Sequence, residues 1–330
     1  MTGQSQDVRI CEMAPRDGLQ YLGGPDAVTA GRIIPLEPRL RLCQALVAAG
    51  VRHIEVGAFV SPKGTPQMAL SDDLGRQLDP DTVPGLELAA LVPNAAGYER
   101  FRATRLNVVA IFPTGSEAHA RKNFGGRTVD QVLELAGEVA GRARADGYAL
   151  RGHLSAAFQD MAVATVRSDL VTVVRVCRRM LEDFGCAYLT LADTNGTTNP
   201  ARIGEVLDVV GTELGGLERI GVHLHDRFGT GIANAYAAWL HGVRIFDASL
   251  GGVGGSVAAS QTAGRDGRQM VGNIATESLV TMFEGMGVHT GIDVDALVTG
   301  AGAILNEICL QAGERSPPSG MLRERLGVEH

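Results

Sequence analysis

The sequence has few aromatic residues, few cysteines and no long apolar run. Phe, Trp and Tyr together make up 5% of the 330 residues. The five cysteines are scattered and show no CxxC spacing. This pattern argues against a disulfide framework and a structural zinc site, and it favours a reducing compartment. We therefore predict a cytoplasmic protein.

The sequence also lacks the long apolar runs of membrane segments and the basic stripes of nucleic-acid-binding proteins. No apolar run approaches the ~18 residues that a membrane helix needs, and the first ten residues lack a signal-peptide pattern. The formal net charge is −7, with no basic stripe. We therefore expect neither a membrane nor a nucleic acid as partner.

What the sequence does contain is a repeated alternation of short β-rich runs and helical patterns. With 45% apolar residues and 43 glycines, the chain suits a large core with many tight turns. The β-rich runs cover residues 8–13, 53–59, 86–92, 106–112, 149–155, 187–193, 219–225 and 243–249. Eight such runs with helices between them predict a (β/α)₈ TIM barrel, and a doubly wound sheet is the alternative.

Two segments fall outside the eight units. Residues 21–35 form a long loop after the first strand, and residues 276–330 add helical patterns and a polar tail. We predict a catalytic barrel over 1–275 and a C-terminal helical extension over 276–330 that packs on it.

Polar side chains follow the predicted strands at the ends where barrel enzymes carry their active sites. His223 and His225 are the strongest signal, because residues at i and i+2 of a strand point to the same face. Two imidazoles at a strand end can hold one metal ion, and Asp17 and Asn273 can add oxygen ligands. This donor set suits Mg²⁺ or Mn²⁺; the alternative is a polar strand end without a metal.

Three further polar positions have candidate roles. Arg16 could neutralise a developing enolate or form a structural ion pair with Glu55 or Asp193. Glu55 could orient Arg16. Asp193 could act as a base or only order the end of the barrel.

Other histidines and one serine complete the candidates. We expect His153 to be a core histidine with its hydrogen bonds satisfied and His119 to be solvated. Ser256 lies in the glycine-rich run 251–273, where a lid could carry a reactive side chain.

Together these residues form familiar motifs. They are "EMAPRDGLQ" (12–20), "IEVGAFVSPKGTPQM" (54–68), "LVPNAAGYE" (91–99), "GSEAHARKN" (115–123), "LADTNGTTNP" (191–200), "VHLHDRFGTGIANA" (222–235) and "GNIATESLVTMFEGMGVHTGID" (272–293). In these motifs the chain resembles the 3-hydroxy-3-methylglutaryl-CoA (HMG-CoA) lyase family, within the metal-dependent barrels that include isopropylmalate, homocitrate and citramalate synthases.

The resemblance implies a barrel that binds a divalent metal and cleaves a carbon–carbon bond. Its implied metal ligands are Asp17, His223, His225 and Asn273. It implies that Arg16 stabilises the enolate oxygen and that His223 also transfers a proton. It further implies supporting roles for Gln20, Glu55 and Asp193. The implied reaction is a retro-Claisen cleavage of a 3-hydroxy-acyl-CoA into acetyl-CoA and a keto acid. We also expect the protein to form a homo-oligomer, namely a dimer.

The chain also departs from that family. Ser256 stands in "GGSV", where the family has a cysteine in "GGCP", and serine is a far weaker proton donor. The turn after the fifth strand lacks the family's Gly-Cys-Pro, and the first loop is longer. We therefore keep two alternatives: an aldolase or condensing enzyme acting on another keto acid, possibly without CoA, and a non-catalytic binding barrel. The intact metal and enolate residues make the binding barrel the weakest of these.

Overall fold

The computed structural model describes residues 7–20, 22–24, 27, 30–159, 167–255, 272–313, 321, 324, 325 and 327. None of the helices in these ranges is both long and apolar enough to cross a membrane.

Eight strands pair in chain order and close into a barrel. They are β1 (Arg9–Glu12), β2 (His53–Ala58), β3 (Glu87–Leu91), β4 (Val108–Ile111), β5 (Ala149–Leu154), β6 (Tyr188–Asp193), β7 (Ile220–Leu224) and β8 (Ile245–Ala248). Each strand lies within its predicted run and is slightly shorter. The predicted TIM barrel is confirmed, and the doubly wound sheet is wrong.

The helices fill the intervals between the strands and continue after β8. They are α1 (Leu36–Ala48), α2 (Ser71–Gln77), α3 (Ala95–Phe101), α4 (Glu117–Asn123), α5 (Val129–Ala145), α6 (Leu170–Arg178), α7 (Pro200–Leu214), α8 (Gly231–Leu240), α9 (Thr276–Gly285), α10 (Val294–Ala296) and α11 (Ala303–Gln311). A π-helical turn, Leu297–Gly302, joins α10 to α11.

Local sequence signals explain where the longer helices begin and end. At the start of α5, Thr128 and Gln131 form a capping box in which each side chain accepts the other residue's backbone N–H. At the start of α7, Asn199 accepts the N–H of Arg202 over 3.0 Å. That helix ends at Gly215, whose φ of +76° suits glycine.

The register of the parallel strands decides which side chains become neighbours. His153 on β5 is opposite Thr190 on β6, and His223 on β7 is opposite Asp247 on β8. Residues opposite each other on paired strands lie about 4.8 Å apart and point to the same side of the sheet. The register therefore places a row of polar groups along β5 to β8.

The chain divides into two compact units by the density of its internal contacts. The first comprises residues 1–90, 101–106 and 248–330, and the second comprises 91–100 and 107–247. Each buries its own apolar side chains, such as Leu42, Leu46 and Val56 in the first unit and Val139, Leu189 and Val222 in the second. The helices α9 to α11 belong to the first unit, and the boundary at residue 275 stays a prediction.

Candidate active site

In the first unit, a π-helical turn follows β1 and carries two of the predicted site residues. The turn is Ala14–Gly18, and the N–H groups of Arg16 and Gly18 both donate to the carbonyl of Met13 over 3.1 Å. Single π turns of this kind are frequent at functional sites. Within this turn, Arg16 is buried and Asp17 is half-buried.

The Arg16 guanidinium lies between two carboxylates. Its Nε donates to Glu55 on β2, and its Nη1 pairs with Asp17. Glu55 is fully buried, so the ion pair fixes the direction of the guanidinium. The expected contact between Arg16 and Glu55 is present, and the role of Arg16 toward an enolate stays a prediction.

Asn273 lies against the other oxygen of Asp17. Its Nδ2 donates to Asp17 Oδ2 over 2.7 Å and to the carbonyl of Val253 over 3.1 Å. Its Oδ1 is buried and has no hydrogen-bond partner among the residues that the structure describes. A buried acceptor without a donor is costly, and a cation is a partner that would satisfy it.

Gly254 leaves room for this pair. Its φ is +126°, and a Cβ there would lie 2.2 Å from Nδ2 of Asn273 and 3.1 Å from Oδ2 of Asp17. Any side chain at this position would therefore displace the amide from the carboxylate.

Glu12, at the end of β1, joins three segments of the first unit. Its buried carboxyl accepts the N–H groups of Ala14 (2.8 Å) and Leu250 (2.9 Å) and the hydroxyl of Thr276 (2.7 Å). Burial raises the pKa of Glu12 to about 7, against the lowering effect of these bonds. Glu12 thus anchors the turn that carries Arg16 to the start of the glycine-rich loop.

In the second unit, the two histidines at the end of β7 are both buried. Their Nε2 atoms lie 3.1 Å apart. With metal–nitrogen bonds of about 2.1 Å, neighbouring ligands of one ion are about 3.0 Å apart in octahedral and about 3.4 Å apart in tetrahedral geometry. The spacing of His223 and His225 therefore fits two ligands of a single ion.

A buried group of charges lies beside His223. Asp247 accepts from Nη2 of Arg151 over 2.7 Å and from the Thr190 hydroxyl over 3.1 Å, and its Oδ2 lies 3.1 Å from Nδ1 of His223. His153, expected to be a satisfied core histidine, is buried with its Nδ1 2.9 Å from Thr190 Oγ1, which confirms that expectation. Arg151 and Asp247 were not among the candidates from the sequence. The signal that could have identified them is a charged residue within an otherwise apolar strand.

Asp193 ends β6 and holds the turn that follows it. Its carboxylate accepts the N–H groups of Thr198 (2.9 Å) and Thr197 (3.3 Å). Burial raises the pKa of Asp193 to about 6, although these bonds lower it. The expected ordering role is thus present, and a role as base stays a prediction.

Three other candidates have different outcomes. The expectation that His119 is solvated is wrong: it is buried, with Nδ1 2.8 Å from Thr114 Oγ1 and its ring edge against Phe124. Gln20 is half-buried just after the π-helical turn. Ser256 lies outside the described residues.

Comparison with known proteins relates this arrangement to a family. The family model described as HMGL-like matches residues 7–303. Hydroxymethylglutaryl-CoA lyase from Pseudomonas mevalonii is 35% identical over 292 residues, covering 88% of this chain and 89% of the relative. (R)-citramalyl-CoA lyase from Chloroflexus aurantiacus is 37% identical over 306 residues, covering 88% of each chain. The crystal structure of hydroxymethylglutaryl-CoA lyase from Pseudomonas aeruginosa matches with a TM-score of 0.83 and 33% identity, covering 98% of both chains. The matched length and these identities establish that the chain belongs to the HMGL-like family.

Proposed function

We propose that this protein is a divalent-metal-dependent lyase that cleaves a carbon–carbon bond in a CoA ester of a 3-hydroxy acid. HMG-CoA and citramalyl-CoA are the first candidate substrates, because both named relatives are lyases of such esters. The observation that carries the proposal is the buried Oδ1 of Asn273, without a donor among the described residues, beside the Asp17 carboxylate.

The residues fit a hard divalent cation. The first unit offers a carboxylate at Asp17 and an amide oxygen at Asn273, and the second offers the paired Nε2 atoms of His223 and His225. We propose that these four side chains hold one ion, with Mg²⁺ or Mn²⁺ preferred for mixed oxygen and nitrogen ligands. When bound, such an ion lowers the pKa of the substrate hydroxyl and polarises its oxygens.

Cleavage then requires a base, an enolate stabiliser and an acid. A base removes the proton of the 3-hydroxyl, and the electron pair of that oxygen forms the ketone as the C2–C3 bond breaks. The electrons of the broken bond pass to the thioester enolate, which is protonated at C2 to give acetyl-CoA. We assign proton removal to Asp193, with Gln20 in support, because the Nε2 lone pair of His223 is used by the ion and its Nδ1 faces the Asp247 carboxylate.

Arg16 is the proposed stabiliser of the enolate oxygen. Its guanidinium is already oriented by Glu55 and Asp17, so it need not reorganise as negative charge develops. Glu55 acts through Arg16 by fixing its direction.

Ser256 is the proposed residue at the position of the family's acid. It occupies the place of the cysteine in the glycine-rich loop, and its hydroxyl is a weaker proton donor than a thiol. Its presence suggests a substrate or a proton donor that differs from those of the relatives.

The test is a substrate assay on metal-free protein reloaded with Mn²⁺ or Mg²⁺. HMG-CoA, citramalyl-CoA and the corresponding free hydroxy acids are offered, and release of acetyl-CoA and keto acid is measured. We expect cleavage of at least one CoA ester, no cleavage of the free acids, and loss of activity in chelator. Equal cleavage of the free acids would support the aldolase alternative, and no cleavage at all would support a binding barrel.

The compartment and the assembly are further parts of the proposal. No disulfide joins the described cysteines, and all five are buried, which suits a reducing cytoplasm. Apolar side chains exposed at Phe228, Tyr236 and Leu240 suggest a covered surface and support a homodimer. Light scattering after size exclusion tests the dimer, and a mass of one chain would exclude it.

A further inference from the structure

We propose that Asp247 is the positioning residue that presents His223 to the metal, by holding the ring proton on Nδ1 and leaving the lone pair on Nε2. This inference rests on the proposed metal-dependent function, since only then does the direction of the Nε2 lone pair matter.

Strand pairing creates the contact. His223 and Asp247 are opposite each other on β7 and β8, and Oδ2 of Asp247 lies 3.1 Å from Nδ1 of His223. An ionised carboxylate only accepts hydrogen bonds, so Nδ1 must donate. In a neutral imidazole the proton then occupies Nδ1, and Nε2 is the free ligand atom.

Arg151 keeps Asp247 ionised. The Nη2 of Arg151 donates to Oδ1 of Asp247 over 2.7 Å, and this buried ion pair favours the charged form of the carboxylate. Arg151 and Asp247 are each buried almost completely. The Asp247 carboxylate therefore stays a charged hydrogen-bond acceptor and is shielded from solvent.

The same carboxylate also orients a second ring. The Thr190 hydroxyl donates to Asp247 Oδ2, so its oxygen is left to accept from Nδ1 of His153 at 2.9 Å. The rings of His153 and His223 meet edge to face, with centroids 6.0 Å apart. One fixed negative charge thus sets the proton positions of two neighbouring imidazoles.

This group is not itself a metal site, although its geometry invites that interpretation. Ligand-type atoms of His153, His223 and Asp247 lie within 4.8 Å of one another. Arg151 already neutralises the carboxylate at 2.7 Å, and a cation placed there would meet that guanidinium. The arrangement instead suits an outer partner of a metal-binding histidine, the role that carboxylates commonly fill.

The test replaces Asp247 by an amide. In Asp247→Asn, the amide can rotate to donate to Nδ1, which forces the proton onto Nε2, as an amide does in place of a triad carboxylate. Long-range ¹H–¹⁵N NMR on metal-free protein at about pH 8, above the ordinary imidazole pKa, reports the tautomer. The His223 signal is assigned by its loss in His223→Gln.

We expect Nδ1–H in the native protein and a proton on Nε2 in Asp247→Asn. We also expect Mn²⁺ affinity, measured by electron paramagnetic resonance, to fall about 10- to 100-fold. Thr190→Val is the matched control, because it removes another hydrogen bond to the same carboxylate without touching His223. Its His223 tautomer and Mn²⁺ affinity should stay near those of the native protein.

Several results would overturn the inference. They are a proton on Nε2 in the native protein, an unchanged tautomer and affinity in Asp247→Asn, or an equal loss in Thr190→Val. If Asp247→Asn fails to fold because Arg151 loses its partner, the double variant Arg151→Met with Asp247→Asn removes that charge, and the same readouts apply. Failure of the lyase proposal would appear only in the thioester assay, whereas the tautomer is measured without turnover.

Discussion

Asn273 donates to Asp17 across 2.7 Å although 256 positions separate the two residues in the chain. The same amide nitrogen bonds the Val253 carbonyl, so both of its N–H donors are used, while Oδ1 is buried and has no hydrogen-bond partner among the described residues. The proposal that this oxygen binds the cation leads to a prediction about charge.

Asn273→Asp should make the stability of the protein depend on metal. Two carboxylates would then face each other where an amide now donates, at a cost of about 1–3 kcal/mol in the free energy of unfolding. We expect a lower Tm than native in chelator and a larger gain in Tm on adding Mn²⁺. Asn199→Asp is the control, because Asp is also a good helix cap; an equal metal response there would contradict the assignment.

His225→Ala should abolish tight metal binding and activity together. Removing one of the two Nε2 ligands leaves too few ligands to retain an exchangeable ion. Metal content after dialysis and turnover are measured side by side. His241→Ala, which removes a histidine paired with Asp208, should change neither quantity, and full metal occupancy in His225→Ala would refute the site.

Arg16→Met should lower kcat by about 10²–10³, the usual loss for one oxyanion donor. KM should change far less, because the charge acts on the developing enolate. Since the substitution removes the ion pair that Arg16 makes with the buried Glu55, Arg16→Met with Glu55→Gln separates lost folding from lost catalysis. Arg9→Met, which removes one ion pair of Glu87, is the control; near-native turnover in Arg16→Met would mean that the ion pair of Arg16 is only structural.

Ser256→Cys tests which step limits the reaction. A thiol with a pKa of about 8.5 releases its proton far more readily than a hydroxyl. Because the loop and the turn after β5 also depart from the family pattern, we expect only a small gain in kcat/KM on HMG-CoA with saturating Mn²⁺. A hundredfold rise would instead show that the pocket is that of an ordinary HMG-CoA lyase lacking its best acid.

Glu12→Gln should remove a pH dependence of stability. The pKa of Glu12 is raised from 4.5 to about 7 in the folded protein, so folding takes up a proton between these values. Its contribution is complete below about pH 4.5 and is lost as the pH rises through 7, on the order of 3 kcal/mol in all. A glutamine can accept from Ala14 and Leu250 and donate to Thr276 without this loss.

We therefore expect Glu12→Gln to exceed the native protein in Tm at pH 8 and to match it near pH 5. Urea or thermal unfolding across this range measures the difference. Glu134→Gln, on the exposed face of α5, should run parallel to the native protein at every pH. A constant offset between Glu12→Gln and the native protein would contradict the raised pKa.

The barrel was predictable because its strands are short apolar runs separated by helical patterns and caps. Thr128 and Asn199 begin helices as their types predict. His223 and His225 were predictable as a pair because residues at i and i+2 of a strand point to the same face.

The charges inside the strands were not predictable in the same way. Arg151 and Asp247 meet across 96 positions, and neither residue type reveals its partner without the strand register. The prediction that His119 is solvated was wrong for a similar reason, because its burial depends on contacts with Thr114 and Phe124 around one short helix. Local sequence patterns thus predict the barrel, whereas the buried charge pairs depend on contacts between residues far apart in the chain.

The hydrogen bonds of Glu12 have a consequence for the order in which the parts of the protein fold during synthesis. Leu250 and Thr276 follow Glu12 by 238 and 264 positions, and the first unit draws on both ends of the chain. On the ribosome, the Glu12 carboxyl of β1 cannot form these hydrogen bonds until Leu250 and Thr276 have been synthesised. The second unit, almost continuous in sequence, can gather its contacts earlier, so synthesis from the N-terminus favours a nascent chain whose middle folds before its beginning.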